Sequence, residues 1–253
     1  MFAGMDGETG HILRALADLL LPRTCVVCGG TLDPEERFLC IRCRADFPRT
    51  RFATLPHNPM ADRFNGRIDD PGIYVQAAAL FYFSAEAGYR RIPYALKYEG
   101  NLAAGKYFAR QLGRDLAASP LFAGVDAVVP VPLHRWRRHR RGYNQAEVIA
   151  REVARTLGAV PVGNWLVRRR RTRSQTRLTV EEKLANVHSA FSPSRKGREA
   201  AARPPEQLPR HILLVDDVFT TGATLAACHA ALRDLFPSPV RISVATLAFV
   251  GGT

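Results

Sequence analysis

Residues 213–224 read LLVDDVFTTGAT, and this stretch decides the fold. The apolar run at 212–215 predicts a buried strand that ends at the paired carboxylates of Asp216 and Asp217. The TTGAT segment that follows predicts a loop and the first turn of a helix, where free backbone N–H groups attract anions. Carboxylates accept hydrogen bonds from a sugar diol, so the pattern predicts a site for a sugar phosphate. An ordinary helix cap, in which Asp and Thr are common, is the alternative.

Composition and charge restrict the class of protein. The chain has 253 residues, 47% of them hydrophobic, which is enough for one domain of ordinary size with a small appendage. Its formal net charge of +13 favours anionic partners such as phosphorylated small molecules, nucleic acid or acidic lipid. The apolar stretch 12–21 is broken by Arg14 and Asp18, so neither a signal peptide nor a membrane span is expected. We therefore expect a cytoplasmic protein.

Strands and helices alternate around the deciding stretch. The predicted strands are 76–83, 125–131, 160–167, 212–215 and 240–249. The predicted helices are 86–116 with interruptions at Pro93 and near Gly100, then 143–157, 180–187 and 222–235. This order predicts an α/β fold with a mostly parallel sheet flanked by helices.

The chain divides into three predicted units. Residues 1–51 hold a short amphipathic helix and a cysteine-rich segment. Residues 52–72 are rich in Pro, Asp, Asn and Gly without an apolar period, which predicts a linker. Residues 73–253 form the α/β domain, and 192–210 within it have little to bury and predict a mobile surface insertion.

Four cysteines form two CxxC pairs, Cys25 with Cys28 and Cys40 with Cys43. This spacing predicts a tetrahedral zinc site, because each pair can present two thiolates to one ion on a tight turn. Since protein ligands fill all four positions, the zinc is expected to be structural. Two disulfides or four unlinked thiols are the alternative reading.

Two arginine-rich stretches follow predicted strands, so both are expected at the carboxyl edge of the sheet near Asp216. Residues 135–141, RWRRHRR, predict a basic loop, and 168–173 begin a second basic stretch. Guanidinium groups at that edge suit a pyrophosphate, whereas solvated surface charge is the plain alternative. Trp136 and Tyr143 would also suit stacking on single-stranded bases. Lys97 is a weaker candidate for a phosphate contact.

The order of these motifs resembles the ComF family of competence-associated, phosphoribosyltransferase-like proteins, some labelled GntX. The deciding stretch matches the signature for 5-phosphoribosyl-1-pyrophosphate (PRPP) in type I phosphoribosyltransferases and is not a Walker A loop. The other matching motifs are the CxxC pairs, LKYEG at 96–100, PVPLH at 130–134, RGYNQ at 141–145, RTRSQ at 171–175, and Asn186 and Val187 with Ala190 and Phe191. The resemblance covers nearly the whole chain.

The resemblance implies a zinc ribbon followed by a type I phosphoribosyltransferase fold with Mg²⁺ accompanying PRPP. Asp216 and Asp217 would hold the ribose as catalytic residues. The implied PRPP-binding residues are Val218, Phe219, Thr220, Thr221, Gly222, Ala223 and Thr224. The implied pyrophosphate-loop and flexible-loop residues are Lys97, Pro132, His134, Arg141, Asn144, Arg171 and Gln175. The sequence departs from the family pattern at Phe249 and Lys183, where arginine is usual.

Three functions fit these features. The first is transfer of a phosphoribosyl group from PRPP to an unidentified acceptor. The second is handling of single-stranded DNA during natural transformation and DNA uptake, with PRPP as a regulatory or vestigial ligand and the competence helicase or uptake machinery as partners. The third is a PRPP-sensing regulator.

Overall fold

The computed structural model describes residues 23–68, 72–83, 88–168 and 190–251. The described helices are α1 Ile41–Ala45, α2 Pro59–Asn65, α3 Arg91–Tyr98, α4 Leu102–Ala117, α5 Arg135–Arg141, α6 Gln145–Leu157, α7 Arg195–Ala201 and α8 Ala223–Leu235. The described strands are β1 Ala77–Tyr82, β2 Ala127–Pro130, β3 Val160–Pro161, β4 Leu166–Arg168, β5 Phe191–Pro193, β6 His211–Phe219 and β7 Arg241–Phe249. The predicted amino-terminal helix, the 180–187 helix and Lys183 lie outside the described residues.

Five strands form a parallel sheet in the order β1-β7-β6-β2-β3. β6 lies at its centre because residues 211–215 are all buried, and a strand this apolar needs cover on both faces. Helices α4 and α6 pack against the sheet and against each other, and α8 contacts β6 and β7. The prediction of an α/β fold with a mostly parallel, helix-flanked sheet is confirmed. None of the described helices combines the length and apolar character needed to cross a bilayer.

The predicted single strand at 160–167 is wrong, because the chain turns at Gly163 and Asn164 and forms two strands. β3 extends the main sheet by pairing with β2. β4 instead pairs antiparallel with β5 in a separate two-stranded sheet.

The stretch predicted to be a linker, residues 52–72, contains α2 and a 3-10 turn at Phe52–Thr54. Asn58 caps α2 by accepting from the N–H groups of Met60 and Ala61 at 3.1 and 3.0 Å. Phe52, Met60 and Phe64 are buried. The stretch therefore does have an apolar face. The sequence pattern did not reveal it because it is only one helical turn long. The division of the chain into units stays a prediction.

Residues 192–210 also carry more structure than predicted, since they include α7 and a 3-10 turn at Pro205–Gln207. Ser194 caps α7 by accepting from the Gly197 N–H at 2.9 Å. Gly197 and Ala200 are buried. A Cβ at Gly197 would lie 2.4 Å from the Trp165 carbonyl oxygen, so this helix packs where only glycine fits. Gly197 and Ala200 are the only buried residues of this stretch, so the expectation that it buries little is confirmed, while its helix was not predicted.

Residues 135–141, predicted to be a loop, form the helix α5. Its ends explain this: His134 Nδ1 accepts from the Trp136 N–H at 3.3 Å, and Gly142 ends the helix at a φ of 79°. No residue of α5 is buried.

The predicted interruption of a helix at Pro93 is wrong. Pro93 lies in the first turn of α3, where its missing N–H is tolerated.

Candidate functional site

Asp216 and Asp217 lie at the carboxyl end of β6, and Lys97 near the end of α3 reaches them. Lys97 Nζ lies 3.0 Å from Asp217 Oδ1, and only 10% of the Asp217 side chain is exposed. The Asp217 N–H donates to Asp216 Oδ1 at 2.9 Å. The two carboxylates therefore occupy one site but differ in their partners: a lysine for one and a backbone N–H for the other.

Burial, followed by the neighbouring Asp217 charge, raises the pKa of Asp216 to about 7 from its ordinary 3.8. The backbone N–H of Asp217 and the charges of Lys97 and Arg168 act in the opposite direction. Without a bound cation, Asp216 therefore holds a proton across the acidic range. A cation or a set of hydroxyl donors would favour its ionised form.

This raised pKa predicts a pH-dependent difference between the wild type and Asp216→Asn. Between about pH 4 and 7 the folded wild type keeps the Asp216 proton and the unfolded chain loses it, so the stability from this residue is lost as pH rises. We expect the free energy of unfolding, relative to Asp216→Asn, to fall by up to ~1.4 kcal/mol per pH unit in that window. Urea titrations at several pH values measure the difference, and a flat difference would contradict the assignment.

The turn after β6 presents free backbone N–H groups at the start of α8. Gly222 precedes the helix with a φ of 79°. The Ala223 N–H donates to Thr221 Oγ1 at 3.4 Å, and no acceptor of the described residues lies within hydrogen-bond distance of the N–H groups of Thr221 and Gly222. Thr220 and Thr221 are exposed, and Ala223 and Thr224 are half-buried. These groups are available to an anion.

Two of the implied PRPP-binding residues face the core instead of the turn surface. Phe219 is fully buried, with its ring 5.7 Å from that of Phe249. Gly222 is buried on top of it, and a Cβ at Gly222 would lie 2.6 Å from Phe219 Cζ. Only backbone atoms of these residues can contact a ligand. The Phe219 ring packs directly beneath the turn.

A cleft of about 750 Å³ opens beside the two carboxylates. Asp216, Asp217, Val218 and Thr220 line one side. The other side comes largely from α3 and the residues next to it, and it consists of Arg90, Arg91, Pro93, Tyr94, Lys97, Tyr98 and Glu99. Its volume is that of a small-molecule site.

The residues implied for the pyrophosphate loop differ in their distance from Asp216 and in how far they are buried. Val131 N–H donates to the Val215 carbonyl at 2.8 Å, so the loop with Pro132 and His134 leaves the sheet beside Asp216. Asn144 is buried, donating to the Val131 carbonyl at 2.9 Å and capping α6 through the Ala146 N–H at 3.2 Å. Its amide is thus used to hold β2 against α6.

Of the remaining implied residues, the structure describes Arg141, which lies beside Tyr98 of α3. Arg141 Nη1 donates to Gln145 Oε1 at 3.1 Å, and Arg141 Cζ lies 4.9 Å from the Tyr98 ring centroid. Arg171 and Gln175 lie outside the described residues. Arg168, the last described residue of the second basic stretch, has its Cζ 5.1 Å from the Phe191 ring centroid. Burial lowers the pKa of Arg168, and the Asp216 charge partly offsets that effect.

Sequence reasoning missed three residues that line the cleft: Arg90, which directly precedes α3, and Arg91 and Tyr94 of α3. It also missed Arg63 of α2, whose Nη1 donates to the carbonyls of Val250 at 2.8 Å and Thr220 at 3.3 Å. Arg63 Cζ lies 4.9 Å from the Phe249 ring centroid. Arg63 thus links the end of β7 to the turn after β6. Spacing along the chain gives no indication of this contact.

The four cysteines of the CxxC pairs converge. Their Sγ atoms all lie within 4.8 Å of one another, and Cys28 Sγ lies 3.8 Å from Cys40 Sγ. Tetrahedral zinc with Zn–S bonds of ~2.3 Å requires S–S separations of ~3.8 Å, so the set fits such an ion. None of the described cysteines is in a disulfide. The cluster can therefore hold a metal ion such as zinc.

The cysteine segment packs directly onto the start of α3. Tyr89 Oη donates to the Cys43 carbonyl at 3.0 Å, and a Cβ at Gly88 would lie 3.2 Å from Val27. The buried carboxylate of Glu36 accepts from the Asp33 N–H at 2.8 Å and from the Ile41 N–H, which fixes the chain between the two pairs. A single core thus joins the cysteines to the helix that carries Lys97.

Comparison with known proteins gives partial matches. The chain is 34% identical over 117 residues to Competence protein F of Haemophilus influenzae, covering 46% of this chain and 48% of that protein. It is 33% identical over 104 residues to DNA utilization protein YhgH of Escherichia coli, covering 40% of each. The chain thus spans less than half the length of these relatives.

A solved structure of the allosteric regulatory enzyme of purine biosynthesis aligns at a TM-score of 0.35 and 18% identity, covering 56% of this chain and 25% of that chain. No protein-family model matches the chain. The chain is therefore similar to part of Competence protein F and to part of YhgH, in agreement with the resemblance to the ComF family in the order of its motifs.

Proposed function

We propose that the protein binds PRPP at the carboxyl end of β6 and transfers its phosphoribosyl group to an acceptor. One observation carries the proposal: the Asp216 and Asp217 carboxylates and the free N–H groups before α8 border the same turn. The carboxylates would accept from the ribose hydroxyls, and the Thr221 and Gly222 N–H groups would bind the 5′-phosphate. Thr220, Thr221 and Thr224 would add hydroxyl donors.

Lys97 supports the same proposal. Its ammonium group lies 3.0 Å from Asp217 and lines the cleft, so it neutralises one carboxylate while no ligand is bound. When PRPP and Mg²⁺ bind, Lys97 would turn to the pyrophosphate and leave Asp217 to the ribose. Mg²⁺ would supply charge neutralisation of the leaving pyrophosphate. The protein's own contribution is to orient the sugar and hold its hydroxyls.

A calorimetric titration with PRPP and Mg²⁺, followed by an assay of pyrophosphate release, tests this proposal. We expect binding that requires Mg²⁺, because the ion would neutralise the charge of a pyrophosphate next to the acidic pair. Pyrophosphate release should depend on an added acceptor. Absence of PRPP binding to the folded protein would contradict the proposal.

We also propose that the cysteine cluster holds zinc in a structural role. Four thiolates and no other described side chain of the ligand types make up the set, which is the donor chemistry of closed zinc sites. With all four positions taken by sulfur, the ion would stabilise the amino-terminal module and would not meet substrate.

Handling of single-stranded DNA is the second candidate function, and α5 favours it. This helix is exposed over residues 135–140 and carries five arginines around Trp136, which is 46% exposed. Arg140 Cζ lies 5.2 Å from the Trp136 ring centroid. Arginines that contact phosphates beside an exposed ring form the usual surface for single strands. The names of the relatives, which concern competence and DNA utilization, agree with this candidate.

Salt dependence tests the DNA candidate. We expect the variant Arg135→Gln, Arg137→Gln and Arg140→Gln to weaken binding of an oligothymidylate and to reduce the slope of log K against log salt by up to ~2, since each lost phosphate contact accounts for ~0.7. PRPP affinity should not change. The matched control replaces Arg195, Lys196 and Arg203 with Gln, which removes the same charge elsewhere. An equal slope change in both variants would contradict a specific role of α5.

A further inference from the structure

A small basic pocket lies between the cysteine segment, residues 23–45, and helix α4. Its volume of about 300 Å³ is at the lower end of the range for small-molecule sites. It shares no lining residue with the cleft at Asp216. The lining consists of Arg37, Tyr107, Arg110, Gln111 and Arg114. Three guanidinium groups thus border one concavity, and none of the lining residues is acidic.

The fold fixes both sides of this basic pocket. Arg37 lies between the two CxxC pairs, where the Leu39 N–H donates to the Arg37 carbonyl at 2.8 Å and the Val26 N–H donates to the Phe38 carbonyl at 2.9 Å. The other lining residues recur on α4 at spacings of three and four, so they share one face of that helix. The ring centroids of Phe38 and Tyr107 lie 5.2 Å apart, which joins the two sides.

The three arginines have few acidic partners. Among the described residues, neither Arg37 nor Arg114 forms an ion pair. Arg110 Nη1 lies 3.8 Å from Glu152 Oε2, but the same oxygen lies 2.5 Å from Arg155 Nη2. Arg110 and Arg114 are also one turn apart, a spacing at which like charges destabilise a helix. The pocket therefore carries between two and three uncompensated positive charges.

Arg49 occupies the nearby acid and orients the amide of Gln111. Its Nη1 lies 2.9 Å from Asp115 Oδ2, so this carboxylate, next to Arg114 in sequence, is already paired. Its Nη2 donates to Gln111 Oε1. Because Arg49 holds this oxygen, the Gln111 side chain can offer only its amide N–H groups to a ligand. The pocket thus presents positive charge together with hydrogen-bond donors, which is the chemistry that binds phosphates.

We infer that this pocket binds the diphosphate or triphosphate group of a small molecule, at a site separate from the one proposed for PRPP. A single phosphate group carries a charge of about −2, so a longer phosphate chain matches the three arginines better. Each guanidinium can bind phosphate oxygens through two hydrogen bonds. A ligand held by Arg37 and by α4 would also fasten the cysteine segment to that helix.

A compact ligand fits this pocket better than a nucleic-acid strand does. Its arginines come from two elements and converge on one concavity. A single strand instead needs cationic groups spread along an exposed surface with rings for its bases, as the arginines of α5 are around Trp136. The two basic regions therefore differ in the ligand that they suit.

Calorimetry with pyrophosphate in Mg²⁺-free buffer tests the inference, because PRPP binding at the carboxylate pair is expected to require Mg²⁺. We expect pyrophosphate to bind about tenfold more tightly than inorganic phosphate, since more of its oxygens can meet guanidinium groups. Bound pyrophosphate should also slow hydrogen exchange at residues 37–39 and 107–114. Absence of pyrophosphate binding to the folded protein would overturn the inference.

The variant Arg37→Gln with Arg114→Gln assigns the binding to the pocket. It should lower pyrophosphate affinity by about tenfold or more and leave PRPP affinity in the presence of Mg²⁺ unchanged. Without ligand it should melt at or above the wild-type temperature, because the change relieves repulsion between guanidinium groups. The matched control, Arg42→Gln with Arg44→Gln, removes two exposed arginines of the same segment that do not line the pocket and should keep its pyrophosphate affinity.

The other outcomes are decisive against this site. An equal loss of pyrophosphate affinity in both variants would show that only net charge matters, and full affinity in the Arg37 and Arg114 variant would place the binding elsewhere. A larger loss of oligothymidylate affinity than of pyrophosphate affinity would make the pocket part of a strand-binding surface. Each of these results would overturn the inference. Absence of PRPP binding would instead contradict the proposed function alone, since the two sites share no lining residue.

Discussion

Replacing both carboxylates, as Asp216→Ala with Asp217→Ala, is expected to abolish measurable PRPP binding. The ribose hydroxyls would lose their acceptors, and hydrogen bonds to charged groups contribute ~1.5–3 kcal/mol each, so two of them correspond to a loss of at least about 100-fold. Lys97 would also lose its partner at 3.0 Å. Calorimetry with PRPP and Mg²⁺ measures the effect.

The fold of this variant is not expected to suffer, because Asp216 is a poorly solvated carboxyl whose pKa is raised by burial and by Asp217. Thermal unfolding and metal content should therefore match the wild type. Asp234→Ala with Glu206→Ala removes two exposed acidic residues outside the cleft and controls for net charge. PRPP affinity retained in the Asp216 and Asp217 variant would remove the basis of the proposed function.

The parts of the fold that follow from contiguous sequence were predictable. The apolar run, the aspartate pair and the TTGAT turn are neighbours along the chain, so the order strand, turn and helix follows from local preferences. The same is true of the cysteine pairs, whose convergence needs only two tight turns. The roles of the site residues beyond this placement stay predictions.

What sequence reasoning missed depends on contacts between distant segments. Tyr94 and Arg90 reach the cleft because α3 packs across the carboxyl ends of β6 and its neighbours, which no spacing along the chain encodes. Residues 52–68 read as a linker because prolines and polar residues surround the short apolar face of α2. The helix α7 was missed because Gly197 and Ala200 are the only residues of 192–210 that are buried, and such small residues give no apolar period.

The burial of Phe249 explains why a charged residue would not be tolerated at this position. The family resemblance makes an arginine usual near this point, but Phe249 is fully buried between Phe52 and Phe219. A charged side chain there would be costly. Arg63 instead brings a guanidinium from α2 to the outer side of the same ring, where it holds the Thr220 and Val250 carbonyls.

Removing a metal ligand, as Cys25→Ser, is expected to abolish metal binding and to weaken PRPP binding at the cleft. Residues 23–45 have little secondary structure besides α1, so their order depends on the four sulfurs and on Glu36. Once they loosen, α3 loses the Tyr89 bond to the Cys43 carbonyl and the contact of Gly88 with Val27. Lys97 and the tyrosines at the other end of α3 would then lose their fixed position, and we expect PRPP affinity to fall by about tenfold.

Hydrogen exchange distinguishes this coupling from a general loss of stability. In Cys25→Ser, the amides of α3 should exchange at least about tenfold faster, while those of β6 and β7 keep their protection, because the sheet core does not depend on the cysteine segment. Cys228→Ala, which changes a buried cysteine outside the cluster, should keep its metal and its α3 protection. Tyr89→Phe should keep the metal but share part of the faster exchange. Full α3 protection in metal-free protein would show that the cleft is organised independently of the cysteine module.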